Sequence, residues 1–391
     1  MLIFATKKQP MKTYFSSDFK LGVLGGGQLG KMLLAETQKF DVHTCILDPS
    51  SEAPCAPHCH EFTQGDLLDF ATVYNFGKKV DVLTIEIEHV NIEALYKLES
   101  EGVKVYPQPK VIEVIQHKGK QKDFYVAHKI PTSTHQRFDT KEALIQANLT
   151  YPFVWKSAQF GYDGTGVKIV RNQEDLKNLA DTESIVEALI PFKNELAVIV
   201  ARNASGDLKT YPVVEMEFHP EANQVEYVIC PARISEAVAE KANAIALKVA
   251  ESFEHVGLLA VEMFQTEADE ILVNEVAPRT HNSGHYSIEA SVTNQFEQHL
   301  RTVLNLPLGA TDSKCAGVMV NLVGAENFSG DVVYQGMEEI LDMNGVTPHI
   351  YGKKQTRPFR KMGHVTIVDQ NLEVARAVAE KVKNTIKVIA H

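Results

Sequence analysis

Two glutamates in otherwise apolar surroundings are the first residues of this chain whose placement calls for chemistry. Glu262 and Glu275 lie in GLLAVEMF and ILVNEVA, on either side of the polar run QTEADE. The apolar alternation predicts a hairpin with its loop over 265–270. Pairing Phe264 with Ile271 then sets Glu262 opposite Val273, with Glu275 its diagonal neighbour on the same face. Like charges so placed repel unless a cation sits between them, and oxygen ligands with positions left for phosphate point to Mg²⁺, as one ion or two. A lysine or arginine from another strand is the alternative neutraliser. Asn274 adds a polar contact to a nucleotide or metal.

Donors concentrate nearby. PRTHNSGH carries Arg279, His281, Asn282, Ser283 and His285, and YGKKQTRPFRKMGH carries Lys353, Arg357, Arg360, Lys361 and His364. On a chain of net charge -11 with no compensating basic block, a nucleic-acid surface is not expected; the first cluster suits holding a small anion and the second suggests a phosphate-bearing substrate, with a solvated loop as the alternative for the second. GYDGTG, residues 161–166, lacks the Lys-Ser/Thr of a Walker A loop and is flanked by strand patterns, which predicts a hairpin flap that lowers backbone N–H groups onto phosphates. Lys156, among apolar residues in VWKSA, pays desolvation that a phosphate contact repays. Tyr162 and Asp163 bring a ring and a carboxylate into the flap.

A first glycine loop, VLGGGQLG, matches G-x-G-x-x-G, and Asp48 ends the next strand where a ribose-binding acid would stand. NAD and other ligands of doubly wound domains both fit this loop taken alone. In TIEIEHV the alternation puts Glu86 and Glu88 on one face at the carboxyl end of a strand, the edge where open α/β sheets bind ligands. PCAPHCHEF gathers Cys55, His58, Cys59 and His60, but no second pair follows at zinc spacing, so we read a structural loop.

The elements that must hold these residues follow from pattern. Strands over 21–24, 43–48, 82–87 and 103–106 alternate with helices over 30–39 and 91–100, predicting a parallel doubly wound sheet. A lysine-rich helix spans 111–128, hairpins follow, then longer strands with a helix near 237–254, and last an amphipathic helix over 372–386 with Val374, Ala377, Val378 and Val382 on its apolar face. At 391 residues and 44% hydrophobic, the chain supports several cores. No run has the ~18 apolar residues of a membrane helix, and the start MLIFATKKQPMKTYF has neither the length nor the cleavage site of a secretory signal. Five scattered cysteines suit a reducing compartment, so a cytoplasmic protein is expected.

Taken together, the doubly wound start, the strand lysine before a glycine flap and the paired glutamates resemble the ATP-grasp superfamily over nearly the whole chain. Within it, GGGQLGKM, FGYDGTG, VNEVAPRTHNSGHYSIEA and RKMGH resemble the N5-carboxyaminoimidazole ribonucleotide synthetase family. The resemblance implies an α/β and α+β architecture: a pre-ATP-grasp domain over 1–115, a lid over 116–194, a central ATP-grasp domain over 195–306 and a small β-rich domain over 307–391. It implies an ATP- and bicarbonate-dependent ligase acting on aminoimidazole ribonucleotide through carboxyphosphate, in a homodimer. Carried over by motif, Lys118, Lys156, Gly161, Tyr162, Asp163, Gly164, Thr165, Gly166, Val167, Glu187, Ala188, Leu189, Ile190, Glu195, Asn274 and Glu275 meet ATP. The 187–190 segment takes adenine through its backbone and Glu195 takes the ribose. Glu262 and Glu275 hold Mg²⁺. Gln28, Leu29, Glu86, Arg279, His281, Asn282, Ser283, Lys353 and Arg360 meet bicarbonate and ribonucleotide, and Asp163, Tyr162, Arg279 and His281 are the expected catalytic set. With ATP assigned to the second glycine loop, the first becomes a wall of the ribonucleotide pocket, and no NAD is expected there.

Three positions depart from the family pattern. QHKG stands for the usual QDRL, so Lys118 replaces an arginine, and Lys122 is the other candidate for that contact. A late histidine of the central domain falls on Phe218 or His219. Thr280 stands where proline is usual. The rivals are another ATP-grasp ligase, such as a formate-dependent transformylase, a nicotinamide oxidoreductase, and a nucleotide-binding module without turnover.

Overall fold

The computed structural model describes residues 13–159, 166–219 and 224–391. Tyr162, Asp163 and the other flap residues from Gly161 to Thr165 lie outside them. Five parallel strands build the first sheet: β1 (Lys20–Leu24), β2 (His43–Asp48), β3 (Glu61–Gln64), β4 (Val82–Ile85) and β5 (Lys104–Val105), in the order β3-β2-β1-β4-β5. Helices α1 (Gln28–Lys39), α2 (Phe70–Gly77) and α3 (Ile92–Ser100) connect them. The inner strands are buried on both faces, which is why they read as apolar runs. Strand order reverses between β1 and β4, so a crevice opens between the glycine loop after β1 and residues 86–88 after β4.

Several expectations are corrected. The Cys/His segment leads into β3, whose half-exposed EFTQ carries too little apolar signal to stand out, and α2 begins at Asp69, which caps it by accepting from the Thr72 N–H at 2.7 Å. Strand β4 ends at Ile85, two residues before the expected limit, so Glu86 and Glu88 occupy a bend and do not share a strand face. The stretch over 111–128 is two helices, α4 (Pro109–Ile115) and α5 (Lys118–Ala127), because the His117 imidazole caps the second by accepting from the Lys120 N–H at 3.2 Å.

The lid is an antiparallel sheet of β6 (His135–Phe138), β7 (Phe153–Ser157), β8 (Val167–Val170) and β9 (Ser184–Ala188), ordered β6-β9-β7-β8 and backed by α6 (Lys141–Gln146) and α7 (Gln173–Lys177). β7 and β8 are the two arms of the expected flap hairpin, with Lys156 opposite Val167.

The largest sheet contains β10 (Phe192–Arg202), β11 (Leu208–Thr210), β12 (Val214–Phe218), β13 (Val225–Cys230), β14 (Gly257–Thr266), β15 (Ile271–Ala277) and β16 (Ala316–Val323). Beyond β17 (Gly330–Gln335) it takes in β18 (Val346–Ile350) and, after β19 (Gln355–Thr356), β20 (Lys361–Asp369). It therefore runs straight through the expected boundary at 306/307, while β17, β19 and β21 (Lys387–Ala390) form a small separate sheet.

Helix α8 (Glu236–Phe253), capped by Ser235, lays Val238, Ala242, Ala246 and Val249 against Leu196, Val198, Leu259 and Val261 of the large sheet. The short α9 (Ser287–Ala290) leads to α10 (Gln295–Val303), which crosses to the first domain, where Phe296, Leu300 and Val303 join Leu21, Val23 and Leu33 in one core. After α11 (Met337–Leu341), α12 (Leu372–Thr385) buries Ala375, Ala379 and Val382. Val374, assigned to the apolar face from the sequence, is 45% exposed, because the stripe that meets β16 and β20 is set one position over. Among the described residues no helix is long and apolar enough to cross a membrane.

Candidate active site

The first glycine loop is wrapped around a carboxylate of the chain itself. Glu86 Oε1 accepts from the Leu29 N–H at 3.1 Å, in the first turn of α1, and Asp48 Oδ2 accepts from the Gly26 N–H at 2.7 Å. Gly25 has φ +98°, which favours glycine, and a Cβ on Gly27 would lie 2.5 Å from Glu86 Oε1, so the loop or that carboxylate would have to shift to admit one. The helix terminus and the acid that would serve a dinucleotide are thus engaged within the protein. Cys55 backs the loop, its N–H donating to Gly26 O at 2.9 Å, which accounts for the Cys/His segment as structure. Burial pushes the Glu86 carboxyl up to about 7 although Arg279 and the Leu29 N–H favour its ionised form. Gln28 opens α1, half-buried, while the Leu29 side chain belongs to the core, leaving that residue only its N–H to offer. Glu88 turns the other way and meets Arg279 Nε at 2.8 Å.

The hairpin β14–β15 differs from the expected register by one residue. Phe264 pairs with Leu272 and Met263 with Val273, and a bulge at Asn274 then sets Glu262 directly opposite Glu275. The extra residue re-aims both side chains of the bulged strand toward one site: Asn274 Oδ1 accepts from Lys156 Nζ at 2.8 Å and Glu275 Oε2 from Lys118 Nζ at 2.5 Å. Burial and the charges of Glu275 and Glu195 hold Glu262 well above the usual carboxylate range, whereas the Lys118 ammonium holds Glu275 below it. Glu195, on β10 beside β14, is likewise raised, to about 7, by burial and by Glu275. This surplus of carboxylate oxygen is the donor set that a hard divalent cation takes.

Behind it lies a buried network. Glu187, 3% exposed, receives Lys156 Nζ and Lys122 Nζ, each at 3.0 Å, and the Ser133 hydroxyl at 2.6 Å. Its side chain therefore faces inward and aims Lys156, while Ala188, which ends β9, and Leu189 after it are exposed. Lys122 is 2% exposed and bonded to Thr132 and Ser133, so Lys118 is the one of the two that reaches the carboxylate site. Gly166 and Val167 lie at the start of β8, at the far arm of the flap hairpin.

After β15, His281 brings Nε2 to 3.2 Å from Glu262 Oε1, and its Nδ1 accepts from the Ser283 N–H. Asn282 and Ser283 do not line the opening as expected. The Asn282 amide exchanges two hydrogen bonds of 2.9 Å with the Asn321 amide, and Ser283, 1% exposed, lies with its hydroxyl 2.9 Å from His281 Nδ1. The basic loop divides. Lys361, which opens β20, is close enough to act on the Glu262 charge; Lys353 donates to Lys361 O at 2.8 Å and Arg360 to Gln355 O at 2.5 Å. Lys361 was present in the RKMGH motif, but no spacing rule separates it from its neighbours. Of the two candidates for the late family histidine, Phe218 packs toward the core while His219 lines a separate apolar cavity of about 220 Å³ with Phe359 and Gly324.

Comparison with known proteins agrees with this geometry. Residues 19–116 match the ribonucleotide synthetase preATP-grasp domain, 123–296 the ATP-grasp domain and 317–378 the phosphoribosylaminoimidazole carboxylase C-terminal domain. The chain is 36% identical over 355 residues to the N5-carboxyaminoimidazole ribonucleotide synthase of Synechococcus elongatus, covering 89% of each. It belongs to the N5-carboxyaminoimidazole ribonucleotide synthetase family. The family member of Thermotoga maritima has a TM-score of 0.88 at 41% identity, over 95% of this chain and all of that one. The Aspergillus clavatus synthase solved with ADP and 5-aminoimidazole ribonucleotide has a TM-score of 0.85 at 32% identity, over 94% and 98%. The phosphoribosylaminoimidazole carboxylase of Candida glabrata is also 36% identical, over 368 residues, but this chain spans only 64% of its length.

Proposed function

We propose that this chain is an ATP-dependent carbon–nitrogen ligase that carboxylates the exocyclic amine of 5-aminoimidazole ribonucleotide, giving N5-carboxyaminoimidazole ribonucleotide, ADP and phosphate in purine biosynthesis. The observation that carries this is the opposed pair Glu262 and Glu275, with Lys118 and His281 on its two carboxylates. A bicarbonate oxygen attacks the γ-phosphorus of ATP and ADP leaves, forming carboxyphosphate. Lys118 and Lys156 exchange carboxylate and amide partners for phosphate oxygens and offset the charge that builds there. Mg²⁺ held between Glu262 and Glu275 would supply Lewis-acid polarisation of those oxygens. Ala188, Leu189 and Ile190 offer backbone to adenine and Glu195 takes the ribose hydroxyls.

The amine nitrogen then bonds to the carboxyl carbon, whether in carboxyphosphate or in CO₂ released from it. Phosphate leaves and the nitrogen loses a proton, for which Asp163 in the flap, beside Tyr162, is our acceptor. Arg279 and His281 hold bicarbonate at the reacting end, Lys353, Arg360 and Lys361 grip the ribonucleotide phosphate, and Gln28, Glu86 and the Leu29 N–H form the opposite wall. A cytoplasmic homodimer completes the proposal, and light scattering of the purified protein tests the assembly. Phosphate release tests the reaction: full rate requires ATP, Mg²⁺, bicarbonate and aminoimidazole ribonucleotide together, and full rate with formate in place of bicarbonate would refute it.

A further inference from the structure

Gln295, 0% exposed at the start of α10, holds the His281 loop by three hydrogen bonds. Its Oε1 accepts from the His281 N–H at 2.9 Å; its Nε2 donates to His281 O at 2.9 Å and to His285 Nδ1 at 2.9 Å. The two backbone partners fix which end of the amide is oxygen, so His285 Nδ1 is an acceptor. The loop is pressed onto this amide: a Cβ on Gly284 would lie 2.5 Å from Gln295 Oε1. Helix α10 is in turn bolted to the first domain at two further points. Asn294 donates to Glu36 Oε1 on α1 at 2.8 Å, and His299 Nε2 lies 3.0 Å from the Thr84 hydroxyl on β4. Thr84 is two residues before Glu86, and His281 lies against Glu262.

We propose that Gln295 is a positioning residue for the carboxyl transfer: through α10 it sets the His281–Glu262 side of the site against the Glu86 wall, where the amine must arrive. This rests on the function proposed above. The amide grips both the N–H and the C=O of His281, and that C=O also accepts from the Gly284 N–H at 3.0 Å. Misplacement of such a group by about 1 Å costs on the order of 100-fold in a step that depends on alignment. Formation of carboxyphosphate relies on Lys118, Lys156 and the two glutamates and meets this loop only through His281, whereas capture by the amine needs His281 and the Glu86 wall in register, so loss of this grip lowers capture more than phosphate release.

The test uses Q295M, which keeps volume and removes all three bonds, and T84V, which leaves Gln295 in place and removes the α10 anchor nearest Glu86, while Asn294 and the shared core remain. Phosphate released and aminoimidazole ribonucleotide consumed are measured together, with the KM for ATP and the melting temperature. Wild type is expected to release about one phosphate per ribonucleotide consumed. Both variants are expected to melt cooperatively and keep the KM for ATP within about twofold, while that ratio rises about threefold or more, further in Q295M. A ratio unchanged from wild type overturns the proposal, and so does a KM for ATP that rises in step with the ratio. If Q295M does not fold, T84V decides by the same criteria. Absence of ribonucleotide-dependent turnover in wild type itself would instead strike the function proposed above.

Discussion

At the residue scale, the site is a balance of carboxylates and ammoniums. Glu275→Gln keeps volume but replaces one of the two opposed carboxylates, the charge partner of Lys118, with a neutral amide, so turnover is expected to fall by about 100-fold or more. Circular dichroism should show an intact fold, and near-normal turnover at saturating Mg²⁺ would overturn the proposal that Glu275 holds the cation. Lys118 stands where the family pattern has arginine. Lys118→Arg would replace a point charge with a planar fork, and an unchanged or lower KM for ATP is expected, with kcat within about threefold. A KM raised tenfold or more would show that the site is built for the lysine point charge and does not admit the arginine fork. The roles of Lys118 and Lys122 could not be told apart from spacing alone, since four residues put both on one face of α5; burial of Lys122 against Glu187 separates them.

At the scale of elements, one bulge and one loop do most of the positioning. The hairpin was legible because its glutamates interrupt apolar alternation, but its register was not. Pairing counted out from the turn assumes a regular ladder, and the bulge at Asn274 shifts it so that Glu262 and Glu275 face each other. The glycine loop was legible as a ligand-facing turn, yet which group it wraps depends on Glu86, some sixty positions later in the bend that follows another strand. Gly27→Ala places a methyl group 2.5 Å from Glu86 Oε1, and the loop has to open to admit it. We expect a loss of about 1–3 kcal/mol in chemical denaturation and a several-fold higher KM for the ribonucleotide. Wild-type values for both would show that the loop yields at no cost and does not shape the pocket.

At the scale of the whole molecule, two sets of shifted groups act on stability in opposite senses. Glu86 and Glu195 are raised to about 7, so they hold protons in the fold that the unfolded chain gives up near pH 4.5; each lowers stability as pH rises between those limits. His255 and His299 are lowered to about 4 by burial, so below about pH 6.5 the unfolded chain takes up protons that the fold refuses, and stability falls toward acid. The two trends offset each other between pH 5 and 6.5. Glu86→Gln should gain relative to wild type as pH rises from about 4.5 to 7, and His299→Gln should gain as pH falls from about 6.5 to 4, by at most about 1.4 kcal/mol per pH unit. Equal pH dependence of the urea midpoints in all three proteins would contradict these shifts.

Residue type, order and period were enough to place strands, helices, the flap hairpin and the paired glutamates, because each of those signals is carried within a dozen neighbouring residues. The family motifs, being contiguous, were equally legible. What only the tertiary structure decided is which side chains face one another across elements. It turned Glu187 inward onto two lysines, paired Asn282 with Asn321, set Arg279 against Glu88 and ran the C-terminal strands on from the central sheet. The grip of Gln295 on His281 belongs with these. Such contacts join positions far apart along the chain, and their geometry depends on packing distances of a few ångströms that no local period encodes.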